Sequence, residues 1–207
     1  MGKRSENASM QTLKLNLGCG ERHLAGYVNV DKYGNPDLRH DLEEFPWPWA
    51  DNSVTEIQLI HVLEHLGQST DVYLGIIREI YRVCQHGARI RIVVPHYRHE
   101  LFFDDPTHVR AITPMGIQLF SQRLNRIWIE QGAANSPLGL QLGVNFELRN
   151  TIFYPSQDWF RLHPEQPVNF ELLVRESSIY NNLLEQYEMD VEVIKEVAPA
   201  TAPLENI

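Results

Sequence analysis

Short apolar runs separated by polar turns fill the first half of the chain, and one longer stretch at helical spacing interrupts them. Residues 13–17 and 27–30 read as two strands, residues 36–41 as a brief third and residues 54–60 as a fourth. Only residues 21–26 lie between the glycine turn after the first strand and the second strand. A parallel crossover usually takes about a dozen residues or more, so the first helix must be short or replaced by a turn. From Ser69 to Cys84, the apolar residues Val72, Leu74, Ile76, Ile77, Ile80, Tyr81 and Val83 predict an amphipathic helix, with Arg78, Glu79 and Arg82 on its polar face. Gly87 is read as its left-handed cap and residues 88–95 as a fifth strand. This order predicts an α/β fold: a Rossmann-like, doubly wound, mostly parallel sheet closed by an antiparallel C-terminal strand.

Past Pro95 the pattern changes. Residues 113–128 look helical, 131–143 read as a loop, and 144–154, 168–174 and 191–197 alternate as strands, with a helix over 178–187. The expected organisation is a flexible tail over 1–12 and a single domain over 13–197. Within that domain, 96–143 is a substrate-side insertion, and a proline-spaced tail follows over 198–207.

Composition narrows the classes. With 207 residues, 43% of them hydrophobic, the chain can bury one sizeable core. A net charge of -9 argues against an electrostatic grip on nucleic acid. Two cysteines, Cys19 and Cys84, are too few for a disulfide framework and point to a reducing, cytoplasmic setting. No apolar run is long enough to span a bilayer, and the basic start has no apolar stretch behind it.

The candidate chemistry begins where the first strand ends, at Gly18-Cys19-Gly20, with Asp31 closing the second strand. Glycines at such a turn let backbone approach a ligand, and an acid beyond them suits ribose hydroxyls. Further segments follow in order: Asp41-Leu42-Glu43-Glu44-Phe45-Pro46, Asp51-Asn52-Ser53, Val62-Leu63-Glu64-His65, and Arg78-Glu79-Ile80-Tyr81-Arg82-Val83 before Gly87. Taken together, residues 14–95 resemble the class I S-adenosylmethionine-dependent methyltransferases, in the branch called methyltransferase type 11. The resemblance implies that Gly18, Cys19 and Gly20 lie against the methionine moiety of S-adenosylmethionine. It also implies that Asp31 binds the ribose, and that Asp41 and Leu42 flank the adenine. The chain departs from the family in two places: the short link between Gly20 and Asp31, and Cys84-Gln85-His86-Gly87-Ala88 where a Leu-Lys-Pro-Gly-Gly turn is usual.

The expected activity is methyl transfer to a small-molecule acceptor, with His61, His65 and His108 as candidate catalytic residues. A second constellation, His96, His99, Asp104, Asp105 and His108, offers either a base or metal ligands, and no metal ligand set is assigned. Alternatives remain. His61-Val62-Leu63-Glu64-His65 fits the inverted zinc-protease spacing, which needs both imidazoles on one helical face. A metal-assisted methyltransferase would use the His61/Glu64/His65 edge, which resembles that of the small-RNA 2′-O-methyltransferases except for His61 in place of a glutamate. An NAD-dependent oxidoreductase would show GxGxxG, but His23 stands where the third glycine would fall. A non-catalytic S-adenosylmethionine-binding module would keep only the first half of the site.

Overall fold

The computed structural model describes residues 12–195. The expected N-terminal tail up to residue 11, the whole C-terminal tail, and residues 196–197 of the last expected strand lie outside the described residues.

Four parallel strands come first: β1 (Leu13–Leu17), β2 (Val28–Asp31), β3 (Leu38–Arg39) and β4 (Val54–Ile60). A single 3-10 turn over Leu63–His65 leads to α1 (Thr70–Val83) and then to β5 (Cys84–Pro95). Four short helices follow: α2 (Glu100–Asp104), α3 (Pro114–Gln118), α4 (Gln122–Glu130) and α5 (Leu138–Leu142). The chain ends with β6 (Phe146–Pro155), α6 (Gln157–Leu162), α7 (Phe170–Ser177) and β7 (Leu184–Val193). The seven strands form one sheet in the order β3-β2-β1-β4-β5-β7-β6, parallel through β5 and antiparallel at β7. The Rossmann-like, mostly parallel arrangement expected from the sequence is the one present.

Strand register separates the two faces of the sheet. Leu15, Ile57, Ile90 and Val191 line up across β1, β4, β5 and β7, as do Leu17, Leu59, Ile92 and Met189. Both rows are buried in one core with Ile76, Ile77, Ile80 and Val83 of α1. The alternate rows are polar: Lys14, Glu56, Arg89 and Glu192 in one, Asn16, Gln58, Arg91 and Asp190 in the next. Parallel sheets are normally apolar on both faces because helices cover both. Here no helix intervenes among the described residues between β1 and β4, so the first crossover is the turn that its length demanded. Ion pairs at Lys14–Glu56 (2.8 Å) and Arg149–Glu192 (2.7 Å) cover the polar rows in place of helices.

Two buried asparagines hold the helix-free link. Asn29 Oδ1 accepts from the Leu24 amide at 2.8 Å and from Asn16 Nδ2 at 2.9 Å, while Asn16 Nδ2 also donates to the Arg22 carbonyl at 2.7 Å. A third tie runs to Asp37, whose carboxylate accepts from the Asn29 amide and Nδ2.

Several expected elements are corrected. Gly87, at φ +74°, does not cap α1. That helix ends at Cys84, which already pairs with Val54, and residues 85–88 form an irregularity before Arg89 resumes the ladder with Glu56. The helix expected over 113–128 is broken into α3 and α4, because Ser121 Oγ caps the Leu124 amide at 3.1 Å and Phe120 is buried between the two pieces. The expected loop over 131–143 contains α5. Residues 168–174, read as a strand, lead into α7, and most of 178–187, read as a helix, belongs to the approach to β7 and to β7 itself.

Candidate active site

The carboxyl ends of β1, β2 and β4 open onto one cleft of about 400 Å³, whose wall includes Gly18, Asp31, Asp41, Leu42, His61 and His65. Strand order reverses at β1, which pairs with β2 on one side and β4 on the other. Ligands of open α/β sheets sit at such a reversal, where the strands' loops diverge.

Gly18 opens the turn after β1 at φ +63°, and a Cβ added there would lie 2.6 Å from both Cγ atoms of Val62. Its neighbour Gly20 directs its amide to Asp31 Oδ2 at 2.9 Å, while Asp31 Oδ1 accepts the Tyr33 amide at 2.9 Å. A carboxylate has about four acceptor positions. Two bonds from backbone therefore fix its plane and leave it able to accept from a ligand. Cys19 lies between the glycines, its amide donating to the Val30 carbonyl at 3.0 Å. Burial and then the Asp31 charge push its thiol pKa up, which disfavours the nucleophilic thiolate. Cys19 faces a shallower hollow beside the cleft, shared with Gly18 and His61.

Asp41 and Leu42 line the cleft just beyond β3. Asp41 Oδ1 accepts the Glu43 amide at 3.0 Å, and Oδ2 lies 3.4 Å from Lys32 Nζ. Leu42 is buried, and its carbonyl accepts the Trp47 indole N–H at 3.1 Å. Trp47 belongs to the core, Trp49 packs against it, and neither lines the cleft.

The histidines sort into three settings. His61 follows β4 with φ +55°, a left-handed conformation unusual for a residue with a Cβ. Its amide donates to the Val93 carbonyl at 2.9 Å, and its Nδ1 lies 3.5 Å from Glu64 Oε1. His65, on the same wall, has Nδ1 2.8 Å from Thr107 Oγ1. His108 is not on the wall; it stands behind His65 with ring centroids 4.6 Å apart, stacks on Phe102, and places Nδ1 2.8 Å from the Phe102 carbonyl. The second histidine and aspartate constellation therefore divides. His96 is buried against Tyr97 and Tyr187, its pKa pushed down to about 4, first by burial and then by His99 and Arg98. His99 caps α2, and Asp104 is exposed at its end. Only Asp105 and His108 reach the His65 edge, with Asp105 Oδ2 4.0 Å from His108 Nε2.

The zinc-protease alternative fails on geometry. Leu63–His65 is one 3-10 turn, and His61 lies outside it in a left-handed conformation. The structure instead gathers Glu64, His65 and His108, each offering one ligand atom, within 4.8 Å of one another. Sequence reasoning did not select Lys32, Tyr33, His40, Val62 or Thr107 for the wall. A signal existed for Thr107, since Asp105 two residues earlier caps its amide at 2.8 Å.

No protein-family profile and no curated protein sequence matches the chain. Solved structures do match it in shape. A SAM-dependent methyltransferase from Archaeoglobus fulgidus aligns with a TM-score of 0.56 and 14% identity, over 87% of this chain and 86% of that one. The YcgJ protein from Bacillus subtilis aligns with a TM-score of 0.53 and 14% identity, over 90% of this chain and 93% of that one. The chain has the class I methyltransferase fold. The [4+2]-cyclase SpnF also aligns, at a TM-score of 0.50 and 13% identity over 89% of this chain and 76% of that one. A frame that carries both names supports more than one chemistry, so function has to be argued from the cleft itself. Among the described residues no helix is long and apolar enough to cross a membrane.

Proposed function

We propose that this protein is an S-adenosylmethionine-dependent methyltransferase acting on a small-molecule acceptor. One observation carries the reading: Asp31 is held by two backbone amides at the end of β2, inside a cleft that it shares with Gly18 at the end of β1. A fixed carboxylate with acceptor positions to spare suits a ribose diol, for which charge-assisted hydrogen bonds are strong. A cleft of about 400 Å³ falls in the range of small-ligand sites. Gly18, Cys19 and Gly20 are assigned to the methionine moiety, and Asp41 and Leu42 to the adenine side.

The bound cofactor supplies an electrophilic methyl group on a sulfonium, displaced in line by the acceptor. The residues of the chain have mainly to align the two and exclude water. His61 and His65, which line the same cleft as Asp31, are the candidates for contact with the acceptor, and His108 supports His65 from behind. Residues 96–143 are assigned the role of substrate-side insertion, because Thr107 joins the cleft wall from that segment. The acidic balance of the chain favours a small acceptor over nucleic acid.

Calorimetric titration with S-adenosylhomocysteine, S-adenosylmethionine and NAD tests the cofactor. Binding of the first two without NAD is expected, and NAD binding alone would overturn the assignment. Cofactor binding with no methyl transfer to any of a broad panel of small acceptors would favour the non-catalytic module.

A further inference from the structure

We propose that Glu64, His65 and His108 form a binding site for a divalent transition-metal ion at the edge of the cleft. This donor set differs from the His61/Glu64/His65 edge visible in the sequence: His108 enters from 43 residues away and His61 drops out of the tight group.

Two independent observations carry it. The first is proximity, with ligand atoms of the three residues within 4.8 Å of one another. The second is Glu64, which is 1% exposed and has neither carboxylate oxygen hydrogen-bonded. Buried carboxylates are normally paired or bound to a metal, because desolvating one without a partner is strongly unfavourable. His61 Nδ1 lies 3.5 Å from Glu64 Oε1 and makes no hydrogen bond to it.

The surroundings of the two imidazoles have the form expected of metal ligands. His108 Nδ1 lies 2.8 Å from a carbonyl oxygen, that of Phe102, which can only accept. The proton therefore sits on Nδ1, and Nε2 keeps its lone pair. Thr107 donates its hydroxyl to Asp105 Oδ1 at 2.6 Å, so the 2.8 Å contact to His65 requires His65 Nδ1 to be the donor. Its Nε2 likewise keeps a lone pair. Ligating histidines characteristically donate their second ring N–H to a carbonyl or polar oxygen, which fixes ring and tautomer. Asp105 thus orients His65 through Thr107 and brings a second carboxylate 4.0 Å from His108 Nε2. The backbone joins the same parts: the Glu64 carbonyl accepts the amides of Val109 at 2.9 Å and Arg110 at 3.2 Å, clamping the segment that carries His108 onto the turn that carries Glu64.

Two imidazoles and one carboxylate suit manganese, iron, cobalt or zinc better than magnesium or calcium, which prefer oxygen ligands alone. Three protein ligands leave coordination positions open, and His65 belongs to the cleft wall. Within the methyltransferase reading, on which this role rests, the ion orients an acceptor that coordinates through oxygen.

The test strips the purified protein with EDTA, removes the chelator, and titrates it with cobalt(II), followed by visible absorption and calorimetry, and separately with S-adenosylhomocysteine. One cobalt per chain is expected, with binding weakened at least tenfold in His108→Asn and Glu64→Gln. Thr107→Val, which removes the His65 acceptor without touching a ligand, is expected to weaken cobalt by a smaller factor and serves if the buried variants do not fold. Absence of cobalt binding, or equal binding in wild type and folded ligand variants, overturns the site. Because S-adenosylhomocysteine is measured on the metal-free protein, loss of one reading leaves the other standing: nucleoside binding without cobalt sinks only the metal site, and cobalt without nucleoside sinks only the methyltransferase.

Discussion

The Gly20 amide and Asp31 Oδ2 are joined at 2.9 Å, so the glycine turn and the candidate ribose acid are one unit. The link between them is too short for a helix, and this bond closes it on the cleft side. Asp31→Ala is expected to weaken S-adenosylhomocysteine binding by about 1 to 3 kcal/mol, through loss of the ligand bond and loosening of the turn. Asp31→Asn, which keeps one oxygen acceptor and the shape, is expected to lose less. Calorimetry on both variants checks this, and unchanged affinity in the alanine variant removes Asp31 from the site.

Gly18 is required by Val62 as well as by its own backbone. A left-handed residue with a Cβ costs about 1 to 2 kcal/mol, and forcing a methyl into a packed contact about 1 to 3 kcal/mol. Gly18→Ala is therefore expected to lose about 2 to 4 kcal/mol of stability in urea unfolding. A Val62→Ala background removes the two 2.6 Å contacts and keeps only that with the residue-62 Cβ at 3.2 Å, so most of the steric part is relieved, giving a favourable coupling of about 1 to 2 kcal/mol in a double-mutant cycle. Additive losses would show that the contact does not demand glycine.

Asn29 replaces what a crossover helix would otherwise provide. Asn29→Ala removes the acceptor of the Leu24 amide and of Asn16 Nδ2 and the Nδ2 donor to Asp37, while the backbone amide of residue 29 still donates to Asp37. A loss of about 2 to 4 kcal/mol is expected, since buried polar groups are left without partners. Thermal unfolding measures it, and a loss below about 0.5 kcal/mol would mean the link is held by other contacts.

What the sequence made legible follows from range. α1 is a local pattern: its apolar residues recur at helical spacing, and Ser69, whose Oγ caps the Val72 amide, marks its start, whereas the mixed apolar residues of β4 are fixed as a strand by pairing with β1 and β5. The Gly18, Gly20 and Asp31 positions were readable because turn chemistry and strand ends are also local. The failures lie where tertiary pairing overrides propensity. Residues 184–193 include Leu, Glu, Gln and Met, all good helix formers, yet they pair with both β5 and β6 and bury Tyr187, Met189, Val191 and Val193. Conversely, α7 was marked by Asn169, whose Oδ1 accepts the Leu172 amide at 3.0 Å, and by Glu171 in its first turn. The meeting of Glu64 with His108 had no local signal, because it depends on the Val109 and Arg110 amides reaching back to the Glu64 carbonyl.

His96 makes stability depend on pH in a window of its own. Burial lowers its pKa from 6.5 to about 4 in the fold, so between those values the unfolded chain binds a proton that the folded chain does not. Stability then rises with pH across the window and is lost as pH falls from about 6.5 toward about 4, with no contribution from this group at higher pH. At about 1.4 kcal/mol per unit, the full loss is about 3 kcal/mol. His96→Gln keeps a side-chain acceptor for the Arg98 amide, which His96 Nδ1 accepts at 3.2 Å, but does not titrate. Urea unfolding at pH 7 and pH 5 is expected to give a smaller difference in the variant than in the wild type, carboxylate titrations being common to both. Equal differences in the two proteins would show that His96 is protonated as readily in the fold as in the unfolded chain.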